Sequence, residues 1–308
     1  MKSILLLLTL MFSVIATVNA QTDSTQTSTT KTNTQVKITK TDGTVIIGSI
    51  ISEDEREVYL LRSDGKKIYI PQHVIATIEP ISDHDLNTKG EYVGEDPFAT
   101  RYFISTNALP IKKGESYIQW NLFGPDLQFC VKDNLGIGVM TTWFGAPIIG
   151  TIKQSFELAP KTHFAVGALV GTGSWASLDW GLALPFGALS YGTRRSNIAI
   201  SSGYGYVGSL DGTGSGSGRG LASIAGMTKV GNKISLVFDS FILLPTTRTT
   251  FDGITTVTNK VGISALLMPG IRWHQKPGKA FQLGFSGLVN DGELIPFPIP
   301  TIQWYRTI

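Results

Sequence analysis

A single cysteine, Cys130, and four histidines are all that this chain of 308 residues offers a metal centre or a disulfide framework. One thiol cannot staple the chain to itself, so ordinary burial has to supply its stability. Charge is scarce as well: Asp, Glu, Lys and Arg make up 16% of residues, against about 25% in ordinary globular chains. Beyond the N-terminus no stretch reaches the roughly 20 continuous apolar residues of a membrane-crossing helix. Apolar periodicity of 3.6 persists nowhere, which excludes a helical bundle. Glycine, by contrast, is abundant, with 34 residues.

The first twenty residues, MKSILLLLTLMFSVIATVNA, place a lysine before an apolar run and end on Val18-Asn19-Ala20. That pattern predicts a cleaved export signal over 1–20. No cysteine stands at the cleavage point, so no lipid-anchored end is expected. Residues 21–34, QTDSTQTSTTKTNT, hold too little apolar surface to offset ordering and read as a disordered spacer. Charge then divides by region. Residues 21–100 carry 8 Lys and Arg against 13 Asp and Glu, a net of −5, whereas 101–308 carry 17 against 10, a net of +7. A boundary near residue 100 follows.

Residues 35–81 form short β-rich runs punctuated by Asp42-Gly43 and Asp64-Gly65, each a hairpin signal. Strands are predicted over 35–39, 44–52, 56–62, 66–70 and 74–79, with Gly48 where a long second strand would bend. This arrangement resembles the Sm-like or SH3-like small β-barrel. In RNA-binding Sm-like proteins a basic, Gly-containing turn precedes the last strand, but here the position reads Pro71-Gln72-His73. The module is also acidic, whereas nucleic acid demands a positive footprint. The expectation is an interaction module for a periplasmic protein partner, with no nucleic acid. Residues 82–100 read as an acidic linker. His84 between Asp83 and Asp85 is not read as a metal site, because three adjacent loop residues cannot all face one ion.

From 101 to 308 the pattern is period two, and twelve strands are predicted: 116–123, 127–132, 135–143, 148–157, 163–172, 179–191, 197–207, 220–228, 233–243, 260–273, 280–289 and 295–307. RYFIS, at 101–105, adds a possible lead-in strand. One phase of each strand is apolar, as in Ile137 and Val139, in Trp180, Leu182, Leu184 and Phe186, and in Phe281, Leu283 and Phe285. The other is small and weakly polar, with Gly136, Gly138, Gly203, Gly205, Gln282 and Gly284. The phase of 220–228 is ambiguous. The strand charges Lys132, Lys153, Glu157, Asp179, Lys233, Asp239 and Arg272 fall on the small phase, and only Arg306 on the apolar one. A soluble sheet would carry charge on its wet face; a lipid-facing charge at mid-bilayer costs about 2–4 kcal/mol. Connections alternate too, short ones such as DN and KVGN against GSLDGTGSGSGRG and LPTTRTTFDGITTVTN. GPD and FGAP are short for the long-loop side, and 127–132 falls below the roughly 9–11 residues of a spanning strand.

These features together resemble a small outer-membrane β-barrel of Gram-negative bacteria. The fold class expected is therefore all-β: a small Sm-like or SH3-like barrel followed by an antiparallel up-and-down transmembrane β-barrel of about 12 strands, 101–308. The resemblance implies outer-membrane lipid and the barrel assembly machinery as partners and places the N-terminal module in the periplasm. TIQWYRTI at 301–308 would pair with the first strand near Tyr117–Phe123 and close the barrel. Its terminal Ile308 departs from the aromatic ending common in such proteins.

No enzyme is expected and no cofactor. His163 and His274 flank short turns beside Arg194, Arg195, Lys276 and Lys279, which read as a basic periplasmic rim. GTGSGSGRG, at 212–220, lacks the Lys-Ser/Thr of a phosphate-binding loop. The expected role is structural or binding, or passage of a small solute. The rival readings are a soluble secreted or periplasmic β-sandwich binding protein and a barrel-type hydrolase or lipid-modifying enzyme, the latter requiring a Ser within reach of His163.

Overall fold

The computed structural model describes residues 35–42, 44–62, 64–81, 92–173, 178–210, 216–251, 256–276 and 278–308. The signal, the spacer and the His84 loop lie outside them. The chain divides into two compact units, Met1–Tyr92 and Val93–Ile308.

In the first unit β1 (Gln35–Lys40), β2 (Val45–Glu53), β3 (Glu57–Arg62), β4 (Lys67–Pro71) and β5 (Ile75–Pro80) form one antiparallel sheet in the order β4-β3-β2-β1-β5. Alternation puts Val36, Ile38, Val58, Leu60 and Ile70 on one buried face. A Cβ on Gly48 would run into the Leu61 carbonyl of β3, so close strand approach demands glycine there. Asp54 closes the β2–β3 turn by accepting the N–H groups of Arg56 and Glu57, both at 2.8 Å. Those bonds, Glu57's first, hold its carboxyl below the usual range.

The second unit is a closed antiparallel barrel of twelve strands. They are β6 (Tyr117–Asn121), β7 (Pro125–Lys132), β8 (Leu135–Thr141), β9 (Ile148–Ala159), β10 (Thr162–Thr172), β11 (Trp180–Gly192), β12 (Ser196–Ser209), β13 (Ser217–Lys229), β14 (Ile234–Leu243), β17 (Ser264–Lys276), β18 (Lys279–Asn290) and β19 (Glu293–Thr307). The connection after β14 carries a separate hairpin, β15 (Thr246–Phe251) with β16 (Thr256–Val261), where sequence reading had only a loop. One end of the barrel bears tight turns, such as that at Asn134, whose positive φ suits a two-residue hairpin. The other end bears the longer connections. Closure joins β19 to β6, from Gln303↔Asn121 to Thr307↔Tyr117.

Outward-facing Ile137, Val139, Ile152, Ile200, Ile271 and Phe285 are exposed around the wall, while Gly136, Gly138, Gln282 and Gly284 face inward and are buried. A closed, even-stranded barrel wrapped in apolar side chains is the architecture of an outer-membrane β-barrel. Two phases needed the structure. On β13, Leu221 and Met227 turn inward and Ile224 outward. On β11 the expected phase is reversed: Leu184 and Phe186 point into the lumen with buried Ala188 and Ser190, and Leu189 and Tyr191 point out. Both phases of β11 are apolar, so alternation alone could not choose between them.

The wall is uneven. β6, β7 and β8 have 5, 8 and 7 residues, whereas β11, β12 and β13 have 13, 14 and 13. β19, with 15 residues, pairs with β6 only over its last turn-end residues, so its stretch from Glu293 to Ile302 has β18 on one side and no β6 partner on the other.

Candidate functional site: the barrel lumen

Of residues 93–116, the stretch from Asp96 to Ile111 lies inside the barrel, and exposed Glu95, Lys112, Lys113 and Gly114 lie at its turn-end mouth. The part of this segment up to Thr100 was read as the end of a linker, and Arg101–Ser105 as a lead-in strand. Instead, the segment enters at the tight-turn end, rises to mid-barrel near Phe103–Thr106, and returns to the turn end before β6. Lys229 Nζ donates to the Gly94 carbonyl at 2.7 Å at the entry, and Arg194 Nη2 to the Pro110 carbonyl at 2.6 Å at the exit. We call this re-entrant segment the strap. Phe98, Ala99, Tyr102, Phe103, Ala108 and Leu109 within it are all buried.

An irregular backbone withdrawn from water must find partners for its N–H and C=O groups outside any ladder. The inward phase supplies them. Arg272 Nη1 donates to Asp96 at 3.0 Å and to the Phe98 carbonyl at 2.9 Å, and its Nη2 to the Arg101 carbonyl at 2.7 Å. Its guanidinium also lies 4.7 Å from the centre of the Tyr305 ring. Asp239 Oδ2 accepts the consecutive N–H groups of Phe103, Ile104 and Ser105 at 3.0, 2.7 and 2.8 Å. Lys153 Nζ donates to Thr106 Oγ1 and to the carbonyls of Asn107 and Leu109 at 3.2, 3.0 and 3.1 Å. Gln303 and Gln119 donate to the Phe103 carbonyl, Tyr305 and Gln282 to that of Tyr102. Arg101 pairs with wall residue Asp126.

Apolar packing follows the same logic. Strap residues Ala99, Tyr102, Phe103 and Leu109 cluster with Ala199, Ala225, Met227, Val237 and Met268 of the wall. A Cβ on Gly270 or Gly284 would collide with the Phe103 ring, and one on Gly136 would crowd Ile111 at 3.1 Å. Part of the glycine richness of the inward phase is therefore room for the strap.

The loop-end half of the lumen differs. A cavity of about 540 Å³ borders the strap tip (Ile104, Ser105, Thr106) and extends down beside the strap to Ile111, Tyr117 and Gly136. Its walls are mainly apolar, with Leu169, Leu184, Phe186, Leu221, Phe241 and Leu266 around its middle. Leu122, Phe123, Pro125 and Pro147 line it where the β6–β8 wall is low, and Ile299 and Pro300 line it from the unpaired side of β19. Just outside, Trp120 and Trp143 stack with ring centres 5.6 Å apart.

Of the charges read as interior, Lys153, Asp239 and Arg272 hold the strap. Lys132 and Glu157 lie exposed at turn-end strand termini, and Asp179 is exposed in the connection before β11. The four residues read as a basic rim separate. Arg194 is buried against Glu115, at 2.6 Å, while Lys276 and Lys279 are exposed and Arg195 is half-buried. Cys130 Sγ sits 3.8 Å from the Ile111 carbonyl, beside the strap. His163 Nδ1 is buried without a hydrogen-bond partner, so no serine meets it there. Ser235 Oγ does lie 2.9 Å from His274 Nε2, but Asp96 approaches the same nitrogen at 3.5 Å and is committed to Arg272. A relay needs the carboxylate on the opposite ring nitrogen, so this cluster fastens the strap and does not form a triad.

No family model matches the chain, and no curated protein matches it. Among solved structures the search returns a chain titled "NanC porin structure in rhombohedral crystal form", at 10% identity and a TM-score of 0.41, covering 63% of this chain and 98% of that one.

Proposed function

We propose that this protein is an outer-membrane barrel that binds an apolar molecule in a blind lumenal cavity and does not act as a standing pore. The observation that carries this is the division of the lumen: a hydrogen-bonded strap occupies much of the turn end, and a mainly apolar cavity of about 540 Å³ lies above and beside it. That volume is within the roughly 300–1,000 Å³ range of small-molecule sites, whose walls are mostly apolar with few polar groups. Passage of a small solute is the second reading, and it requires the strap to move. The tight turns face the periplasm in this reading, since short turns lie there in such barrels, and the chain enters the barrel from that end. The first unit is then a periplasmic module for a protein partner. Its strand order, with a 3-10 turn at Gln72–Val74 ahead of β5, supports an SH3-like reading. Outer-membrane lipid and the barrel assembly machinery complete the partners.

Two measurements test the cavity reading. Purified protein in planar bilayers is expected to give no steady conductance, and a steady open level in the unmodified protein would overturn it. Photolabelling in detergent with benzophenone, followed by peptide mapping, is expected to mark Met268, Leu221 or Leu184. Labelling confined to outward residues such as Ile200 and Leu283 would equally overturn it.

A further inference from the structure

The cavity has a side as well as a floor. A strand rises about 3.4 Å per residue, so β6, with 5 residues, extends only about 17 Å and less in height once tilted, against an apolar band about 25 Å tall. The wall from β6 to β8 therefore ends within the hydrocarbon layer. The β6–β7 turn and the β8–β9 connection that cap it are short, and Leu122, Phe123, Thr142 and Pro147 from them line the cavity.

The neighbouring edge of β19 should not be tolerated in lipid. Unpaired backbone donors in hydrocarbon cost several kcal/mol each, and open sheet edges are accordingly absent from lipid-facing surfaces. The chemistry of this edge halves the conflict, removing donors while leaving carbonyls. Thr307 N–H donates to Gly278 on the β18 side, and Ile308 N–H to Ser116 on the β6 side. By alternation, even-numbered residues of β19 turn their N–H groups toward β6 and the open side where the ladder to β18 is regular; between Ile295 and Ile299 the register shifts and 296–298 bulge from it. The stretch with no β6 partner runs from Glu293 to Ile302, and of its five even-numbered residues the middle three, Pro296, Pro298 and Pro300, are proline, leaving N–H groups only on Leu294 and Ile302 at its two ends. None of the three has an N–H to leave bare. A strand edge meant for pairing carries donors; the middle of this one, Pro296 to Pro300, has lost three of them along the side of the cavity.

From this geometry we infer that the cavity opens sideways into the membrane, between the proline-rich, donor-poor edge of β19 and the low β6–β8 wall, and takes an acyl chain of a membrane lipid through that opening. The inference rests on the cavity reading and adds both the ligand class and the route. The occupant is a lipid chain because the opening lies at the height of the hydrocarbon layer, where acyl chains are what meets it.

The test uses the full chain in phospholipid vesicles containing a trace of phosphatidylcholine with a diazirine at the end of one acyl chain. After irradiation, adducts are expected on lumenal Leu184, Phe186 and Leu221 as well as on outward Ile200 and Leu283. Leu184→Trp, which fills the cavity, should lose the lumenal adducts at least tenfold and keep the outward ones. Adducts on outward residues alone overturn lateral entry. If benzophenone still marks the lumen in that case, the cavity reading stands and only the lipid route falls; if it does not, both fall. Should Leu184→Trp fail to assemble, Phe241→Trp gives the same readout from the opposite wall.

Discussion

The two halves of this lumen share one set of strands, yet they are built on opposite rules. At the turn end the inward phase is rich in Arg, Asp, Lys and Gln and is nonetheless buried; Arg272, Asp239 and Gln282 have no exposed surface. At the loop end the inward phase supplies Leu169, Leu184, Phe186 and Phe241 and borders empty space. Polarity here does not track water. It tracks irregular backbone: where the strap needs partners the wall carries charges and amides, and away from the strap it is mainly apolar, with only small hydroxyls such as Ser201, Ser223, Ser286 and Thr301 among the larger apolar side chains. A conducting pore would have polar lining along its whole length.

The largest expected effects fall on the strap's charged anchors. Removing one partner of a buried ion pair costs about 3–5 kcal/mol, because the other charge is left unpaired. Arg272→Ala strands Asp96 and the Phe98 and Arg101 carbonyls. Asp239→Ala, which breaks no ion pair, strands the N–H groups of Phe103, Ile104 and Ser105, at about 1–3 kcal/mol for each buried donor left unsatisfied. Both variants are expected to lower the urea midpoint of the reconstituted barrel sharply. Those molecules that do insert are expected to show conductance bursts as the strap detaches. A full-stability Arg272→Ala barrel with a closed lumen would break the contrast between the halves.

How far this was legible in sequence depends on which half is considered. The strands, the closing pair of β19 with β6 and the outward belt follow from period-two alternation, because lipid and lumen impose different chemistry on the two phases. Lys153, Asp239 and Arg272 were legible as inward charges, but what they bind was not. The strap has no periodicity of its own: Phe98 falls in the expected acidic linker, Tyr102 and Phe103 in the lead-in strand, and Leu109 and Ile111 between that and the first predicted strand. The available signal was a mismatch: five large apolar residues beside a barrel interior whose charges had no partners on neighbouring strands. The cavity was hidden for a different reason. β11 is apolar on both phases, and only its pairing, Leu184 against Leu169 and Phe186 against Gly167, turns those side chains inward. The short strands near 127–132 looked like a weakness of the barrel reading, yet they are the low wall beside the cavity.

A same-residue pair sharpens the contrast at intermediate size. Leu109 is buried in the strap's apolar cluster, so Leu109→Ala should cost about 2–5 kcal/mol through lost transfer energy and a new void. Leu184 already borders open space. Its truncation leaves less unfilled volume than truncation in a close-packed site, and Leu184→Ala is expected to cost under about 1.5 kcal/mol while enlarging the cavity. Urea titrations of both variants under identical reconstitution decide the matter. Equal losses would mean that the loop half is as tightly packed as the turn half.

The smallest effect is the most local reading of the same difference. Gly284 and Gly205 are both inward glycines of long strands, and each could accept a methyl group only if its surroundings give way. At Gly284 the added Cβ meets the Phe103 ring and the Pro269 carbonyl oxygen at 2.7 Å, neither of which can move without shifting strap or strand. Gly284→Ala should therefore cost about 1–3 kcal/mol, the usual range for overpacking. At Gly205 the nearest atoms are the tips of Leu221 and Leu184, at 2.9 and 3.5 Å, and both side chains have the cavity to swing into. Gly205→Ala is expected to stay within about 0.5 kcal/mol of the unmodified protein, its small steric cost offset by a less flexible unfolded chain. Heat-modifiability gels run across a temperature series give the ranking directly. A Gly205→Ala midpoint as depressed as that of Gly284→Ala would mean that the space above the strap is not free.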